Sequence, residues 1–115
     1  MREINKSFVE NKKSKFYGYL YSINSEEDVN TILECLKKEN KKAKHFVYAY
    51  KLGNIERKNE DKEPSGTAGM PLLDLINIKK LDNTLIVVVR YFGGTLLGRG
   101  LLTRSYRDAA SKLFE

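Results

Sequence analysis

One apolar segment, TLIVVVR at Thr84–Arg90, constrains the fold of this chain more than any other. It is apolar at consecutive positions, so both faces of a strand formed here are apolar, which is typical of the centre of a sheet. The alternating segments Phe16–Ile23 and Phe46–Leu52 predict two further strands. Arg2–Glu10 predicts a shorter strand that pairs with Phe16–Ile23 across a polar turn.

Helices are predicted between these strands. Ser25 followed by Asp28 resembles a capping box, and apolar residues then recur at helical spacing. Pro71 suits the first turn of a second helix, and a third is predicted over Gly100–Phe114. The order β, α, β, α, β, α predicts an α+β fold, a two-layer α/β sandwich. We expect a mixed sheet of about four strands with the helices on one face, in one domain covering residues 1–115.

Composition narrows the class of protein. The longest apolar run, Leu85–Val89, is far shorter than the roughly 20 residues of a membrane-spanning helix. The first residues lack the apolar core of a secretory signal. Cys35 is the single cysteine and cannot form an internal disulfide, which favours a reducing compartment. These features predict a cytoplasmic protein without a membrane partner.

Four of the six arginines lie between Asp82 and Asp108, a segment without any other carboxylate. The net charge is +6, and arginine binds phosphate or carboxylate in bidentate geometry that lysine cannot match. This distribution favours an anionic partner. The four are Arg90, Arg99, Arg104 and Arg107.

Two glycine-rich runs each precede a predicted helix: EPSGTAGMP at Glu63–Pro71 and RYFGGTLLGRG at Arg90–Gly100. A helix start offers unpaired amides and a partial positive charge, so it binds anions. Alternatively, the glycines only turn a strand into a helix, and the spacing favours neither interpretation. The candidate anion- or nucleic-acid-binding residues are Arg90, Arg99, Arg104, Arg107, Gly93, Gly94, Gly98, Gly100, Ser65 and Thr67.

No catalytic or metal-binding set is evident from the sequence. His45 is the only histidine, and without cysteines nearby it is more typical of a hydrogen-bonded structural residue than of a zinc ligand. Cys35 is predicted to be a small buried apolar residue of the first helix. The acidic run that contains Glu60, Asp61 and Glu63 is typical of a solvated loop. We therefore predict neither metal nor cofactor.

Tyrosines alternate along the predicted strands. Tyr17, Tyr19 and Tyr21 share one face, and Tyr48 and Tyr50 extend it from another strand. Such a face beside arginines can stack the bases of single-stranded RNA. Cross-strand packing or a dimer contact explains the same pattern.

Taken together, these motifs resemble the IMPACT family, including its bacterial YigZ-like members. The resemblance runs from Lys13 to the last helix and rests on AKH before a strand, EPSGTAGMP, and RYFGGTLLGRGLLTRSY. The chain departs from the family pattern at Lys62 and Leu101, where glycine is common. The matching signature residues include His45, Glu63, Pro64, Gly66, Gly69, Tyr91, Phe92 and Tyr106.

The resemblance implies a fold of the left-handed β-α-β type, also found in a small-subunit ribosomal protein and in the fourth domain of the translocating elongation factor. Bacterial relatives usually carry a second, ferredoxin-like domain, which we expect to be absent here. Eukaryotic relatives restrain a starvation-response kinase that acts on a translation initiation factor. The family brings no established catalytic set.

The predicted function is a translation-linked regulatory protein that binds RNA or a ribosome-associated factor through its cationic glycine-rich surface. One alternative is an enzyme that acts on a phosphorylated metabolite or a peptide at the same pocket. Another is a protein-interaction module in a stress-response kinase pathway. We expect a monomer or a weak dimer.

Overall fold

The computed structural model describes residues 1–115, which form one antiparallel sheet and three α-helices. The strands are β1 (Arg2–Asn11), β2 (Ser14–Ser22), β3 (His45–Leu52), β4 (Ile55–Asn59) and β5 (Thr84–Tyr91). The helices are α1 (Glu26–Glu39), α2 (Gly69–Ile78) and α3 (Arg99–Ser111), and a 3-10 helix (Lys112–Phe114) follows α3.

The sheet has the order β1-β2-β5-β3-β4, with β5 at its centre. The predicted α+β class is confirmed, and so is the central position of TLIVVVR. In detail the sheet differs from the mixed one of about four strands that we expected. It has five strands, and every neighbouring pair is antiparallel. The charged segment after β3 adds the fifth strand, because it folds back on β3 as a hairpin edge.

Helices cover both faces of the sheet. Strands β2, β3 and β5 direct Phe16, Val47 and Val88 toward α2 and α3, which form one apolar core with them. On the other face, Val87 and Val89 pack with α1. The expectation of two layers with helices on one face is therefore wrong. Since the central strand is buried at consecutive positions, each of its faces requires a covering layer.

Helix α1 begins as its sequence predicts. Ser25 is its N-cap, and the side chain accepts a hydrogen bond from the amide of Asp28. The apolar positions Val29, Ile32, Leu33 and Leu36 are buried. Cys35, by contrast, is exposed, so the prediction of a buried thiol is wrong. It lies one position outside the apolar stripe, on the solvent side. No helix in the chain combines the length and apolar composition needed to cross a bilayer.

Candidate anion-binding surface

A buried polar cluster joins the two glycine loops beneath the surface. Arg90 Nη1 donates to Glu63 Oε2 at 2.7 Å, and the Tyr106 hydroxyl donates to the same oxygen. His45 Nε2 lies 3.4 Å from Glu63 Oε1, and Arg90 Nη2 donates to Ser14 Oγ. Glu63 is 8% exposed and Arg90 5%. Arg90 is therefore neutralised inside the protein and contributes no free charge to the predicted surface.

The cluster combines a serine, a histidine and a carboxylate, but the hydrogen bonds of these side chains hold the structure together. Ser14 is fully buried, and its oxygen accepts from Arg90 and from the amide of Gly93. The His45 Nδ1 atom is hydrogen-bonded to the carbonyl oxygen of Asp61 at 2.6 Å. Burial, followed by the charge of Glu63, raises the pKa of Tyr106, so its hydroxyl remains a donor. Ser14 and Tyr106 are fully buried, and His45 and Glu63 are 9% and 8% exposed, so the cluster presents little surface to solvent.

The start of α2 already binds an anion supplied by the chain itself. The Glu60 carboxylate accepts hydrogen bonds from the amides of Gly66, Ala68 and Gly69, at 3.0, 2.9 and 2.5 Å respectively. Asp61 Oδ2 accepts from the amide of Phe46. The acidic run is therefore not a solvated loop, because its carboxylates satisfy backbone and side-chain donors. No group of acidic, histidine and cysteine residues is arranged to bind a metal ion.

The start of α3 is different, because the backbone amides that begin this helix donate no hydrogen bond within the protein. Gly98 is the N-cap and supplies no side-chain hydrogen bond, and the first turn contains no acidic residue. The amides of Arg99, Gly100 and Leu101 have no acceptor within the protein. The positive end of this helix therefore faces solvent.

The two glycine loops meet beside this helix start. Arg99 Nη2 donates to the carbonyl oxygen of Ser65 at 2.8 Å, which links the second loop to the first. Arg99 and Arg104 are both exposed, and neither forms a salt bridge. Together with Ser65, Gly100 and the free amides of residues 99–101, they form what we call the α3-start surface.

Two other predicted site residues lie outside the α3-start surface. Arg107 lines a groove of about 250 Å³ between α2 and α3, and Asp74 lines the same groove. The Thr67 side chain is buried, and its hydroxyl donates to the carbonyl oxygen of Pro64. Arg107 is exposed but lies about two helical turns beyond Arg99, and Thr67 offers no free group.

The glycines of the second loop differ in what they do. A Cβ at Gly93 would lie 2.2 Å from the carbonyl carbon of Lys13, so this glycine permits close packing on the β1–β2 turn. Gly94 and Gly98 have φ angles of 95° and 76°, which favour glycine. Gly100 has no positive φ, and a Cβ there would meet nothing within 4 Å. Neither a turn nor packing explains the glycine at position 100.

The tyrosine face is only partly open. Helix α1 covers Tyr50, whose hydroxyl donates to Glu26 Oε2. At the other end of the face, Tyr17 and Tyr19 line an open cleft together with Tyr91 and Phe92. The sequence interpretation did not include the last two residues in this face. Strand alternation could have identified Tyr91 as part of this face. Strand β5 pairs with β2, and this pairing places Tyr91 beside Tyr17.

This architecture defines a small α+β domain in which glycine loops are joined by a buried ion pair. The chain matches the family model described as the Impact N-terminal domain over residues 12–114. It belongs to the IMPACT family.

Relatives in several bacteria support this membership. The IMPACT family member YvyE of Bacillus subtilis is 36% identical over 104 residues, which cover 88% of this chain and 48% of that protein. YigZ of Escherichia coli, also described as an IMPACT family member, is 34% identical over 100 residues, covering 83% of this chain and 49% of that protein. The chain thus spans about half the length of these relatives.

Two solved structures share the fold. One, described only as a hypothetical protein, has a TM-score of 0.91 and 30% identity, covering 96% of this chain and 56% of its own. The other is the two-domain translational regulator Yih1, with a TM-score of 0.52 and 26% identity. That match covers 96% of this chain and 46% of the Yih1 chain.

Proposed function

We propose that this protein binds RNA phosphates through the α3-start surface and acts in translation. The proposal rests on one observation: the start of α3 presents free amides and two exposed arginines without a salt bridge, whereas at the start of α2 Glu60 accepts from the amides of Ala68 and Gly69. Free amides and exposed guanidinium groups are the donors that a phosphate group accepts from.

Gly100 supports the same proposal. Glycine costs about 0.5–1 kcal/mol relative to alanine within a helix, and nothing inside the protein requires it here. Without a side chain, the backbone of the first turn can come close to an external group. Ligand contact at this turn therefore explains a residue that stability alone disfavours.

The translational part of the proposal comes from family membership and from the likeness to Yih1, which is itself described as a translational regulator. The net charge of +6 fits a polyanionic partner, since it attracts nucleic acid at long range. The two features together favour RNA over a small anionic metabolite.

The phosphometabolite enzyme is the weaker alternative. Its most obvious phosphate site, the start of α2, is filled by Glu60. His45 and Ser14, which belong to the buried polar cluster around Glu63, are not exposed for catalysis.

A protein-interaction module is favoured by one further observation. Leu96 in the second glycine loop is 84% exposed, and Phe92 in the same loop is 47% exposed. Apolar side chains displayed on a loop are suited to a protein partner. This second candidate predicts a stable complex with a protein that the substitution Leu96→Ala weakens.

The decisive experiment compares two double variants that remove the same charge. Arg99→Ala/Arg104→Ala alters the α3-start surface, and Arg2→Ala/Arg57→Ala removes two exposed arginines elsewhere. Binding of fluorescently labelled tRNA and of a short ribosomal RNA hairpin is titrated at several salt concentrations.

We expect the first variant to bind more weakly and its salt slope, log Kd against log salt, to fall by about 2. The control variant should lose less affinity. Equal losses in both variants would mean that binding reflects net charge alone and would contradict the assigned surface. Absence of binding at physiological salt by the unsubstituted protein would contradict the RNA function itself.

A further inference from the structure

A second cleft lies on the sheet face opposite α2 and α3, where α1 stops short of covering the strands. It has a volume of about 780 Å³, within the range of small-molecule sites. Three tyrosines, one phenylalanine and two lysines supply most of its wall: Tyr17, Tyr19, Tyr91, Phe92, Lys13 and Lys15. We call it the aromatic cleft.

Hydrogen bonds and ring contacts hold Tyr91 and Tyr17, two of the aromatic residues of the cleft, in place. The Tyr91 hydroxyl donates to Asn40 Oδ1 at 2.5 Å, and Asn40 Nδ2 donates to the carbonyl oxygen of Leu36. Tyr17 and Tyr91 are in edge-to-face contact, with ring centroids 5.7 Å apart. Phe92 is 47% exposed, and the Arg90 guanidinium carbon lies 5.9 Å from its ring centroid. Rings fixed in this way bind a flat ligand with little loss of side-chain entropy.

The charge of the cleft is positive. Lys13 and Lys15 are exposed and form no salt bridge, and Glu10 is the one acidic residue in the wall. The turn that presents Lys13 packs directly on the backbone of Gly93. The turn that carries Lys13 and the segment that carries Phe92 are thus in direct backbone contact.

We infer that the aromatic cleft binds an unpaired base of single-stranded RNA, with Lys13 and Lys15 contacting the flanking phosphates. Aromatic rings beside cations are the arrangement that stacks unpaired bases irrespective of sequence. A duplex cannot enter, because its bases are already stacked and paired. The inference rests on the proposed RNA function, and it extends that function to a second contact. Phe92 begins the loop that leads to the α3-start surface.

The test uses labelled eight-nucleotide oligo(U) RNA, oligo(dU) DNA of the same length, and a blunt RNA hairpin. Phe92→Leu removes the ring and keeps apolar bulk, whereas Phe92→Trp keeps a stacking ring. Lys15→Ala removes a cleft cation, and Lys38→Ala removes an equally exposed lysine of α1 as a control. Circular dichroism confirms that each variant is folded. Since the chain has no tryptophan, quenching of tyrosine fluorescence by oligo(U) gives a second readout.

We expect Phe92→Leu to weaken oligo(U) binding about tenfold, Phe92→Trp to preserve it, and hairpin binding to change in neither. Lys15→Ala should weaken oligo(U) more than Lys38→Ala does. Oligo(U) affinity that is equal in Phe92→Leu and the unsubstituted protein would overturn the inference, as would tighter binding of DNA than of RNA. If the unsubstituted protein binds the hairpin but not oligo(U), the inference fails and the proposed function stands. If oligo(U) binding depends on Phe92 while hairpin binding does not depend on Arg99 and Arg104, the cleft stands and the α3-start surface fails.

Discussion

A single carboxylate, Glu63, connects both glycine loops to the centre of the sheet. Removing a carboxylate from water is costly, and Glu63 is compensated by a bonded arginine, a tyrosine hydroxyl and a nearby histidine. Arg90 in turn stacks its guanidinium 5.4 Å from the ring centre of Phe16. The loops that carry the candidate site are therefore held in place by buried hydrogen bonds and a buried ion pair.

Replacing Arg90 by methionine should be strongly destabilising. Glu63 would remain buried without its bonded cation, and breaking a buried pair in this way costs about 3–5 kcal/mol. Urea denaturation of the Arg90→Met variant measures the loss in unfolding free energy. Arg104→Met is the matched control, because Arg104 is exposed and forms no salt bridge, and we expect a change of about 0.5 kcal/mol or less. Similar losses in the two variants would contradict the structural role of Arg90.

For individual residues, the sequence shows which side chains are charged but not which of them are buried or which partners they contact. It singled out Arg90 and Arg99 as equivalent cations, yet one is buried against Glu63 and the other is exposed. The partner of Arg90 lies 27 residues away along the chain, so no local pattern reveals the pair. The contact that joins the two glycine loops, Arg99 to the carbonyl of Ser65, likewise depends on tertiary structure.

Individual elements show why the glycine runs were ambiguous. At the α2 start, a carboxylate from the preceding loop caps the helix, as an N-terminal anion should. At the α3 start, no side chain has this role. The two starts are similar in sequence composition, and only the position of Glu60 in space distinguishes them. Sequence spacing could not favour one interpretation, because close packing or a positive φ explains Gly93, Gly94 and Gly98, whereas neither explains Gly100.

Two alanine substitutions in the second glycine loop separate these roles. Gly93→Ala should destabilise the protein, since the new Cβ would overlap the backbone of Lys13 and the β1–β2 turn would have to move. Gly100→Ala should stabilise it by about 0.5–1 kcal/mol, because the position is helical and open.

Thermal unfolding and RNA titration of both variants provide the measurement. A gain in stability together with weaker RNA binding in Gly100→Ala would fit a glycine that serves ligand approach. Unchanged RNA affinity in this variant would remove Gly100 from the α3-start surface. Gly93→Ala that is as stable as the unsubstituted protein would mean that the close contact with Lys13 is not tight in solution.

Across the whole molecule, the sheet and its order of elements follow from the sequence more reliably than the layers do. Strand alternation identified β2 and β3, the consecutive apolar residues identified β5, and the polar turn before Ser14 identified the β1–β2 hairpin. The layers were wrong because the apolar face of α1 can pack on either side of a sheet. The consecutive buried residues of β5 did indicate two covered faces. The sequence therefore contained evidence that both faces of the sheet are covered, whereas the prediction placed all helices on one face.

The tyrosines make the stability of the whole molecule sensitive to alkaline pH. Burial is the main cause that raises the pKa of five of them, Tyr19, Tyr21, Tyr50, Tyr91 and Tyr106. For Tyr50 the folded-state pKa is about 12, against 10.0 for an ordinary tyrosine, and its bond to Glu26 adds to the effect of burial. Between these values the folded state retains a proton that the unfolded state loses. The stabilisation is thus complete below pH 10.0 and is lost as the pH rises toward 12.

We therefore expect the urea midpoint to be constant up to about pH 9 and to fall steeply between about pH 10 and about pH 12. The phenolate absorbance of these five tyrosines should rise together with unfolding rather than before it. In the variant Tyr50→Phe the fall should be shallower, and the difference between the two curves isolates this residue from every other group that titrates in the window. Glu26 is exposed and stays hydrated when its partner is removed, so the variant should fold. If the tyrosines ionise at ordinary pH while the protein stays folded, or if Tyr50→Phe leaves the slope unchanged, burial of these hydroxyls does not govern alkaline stability.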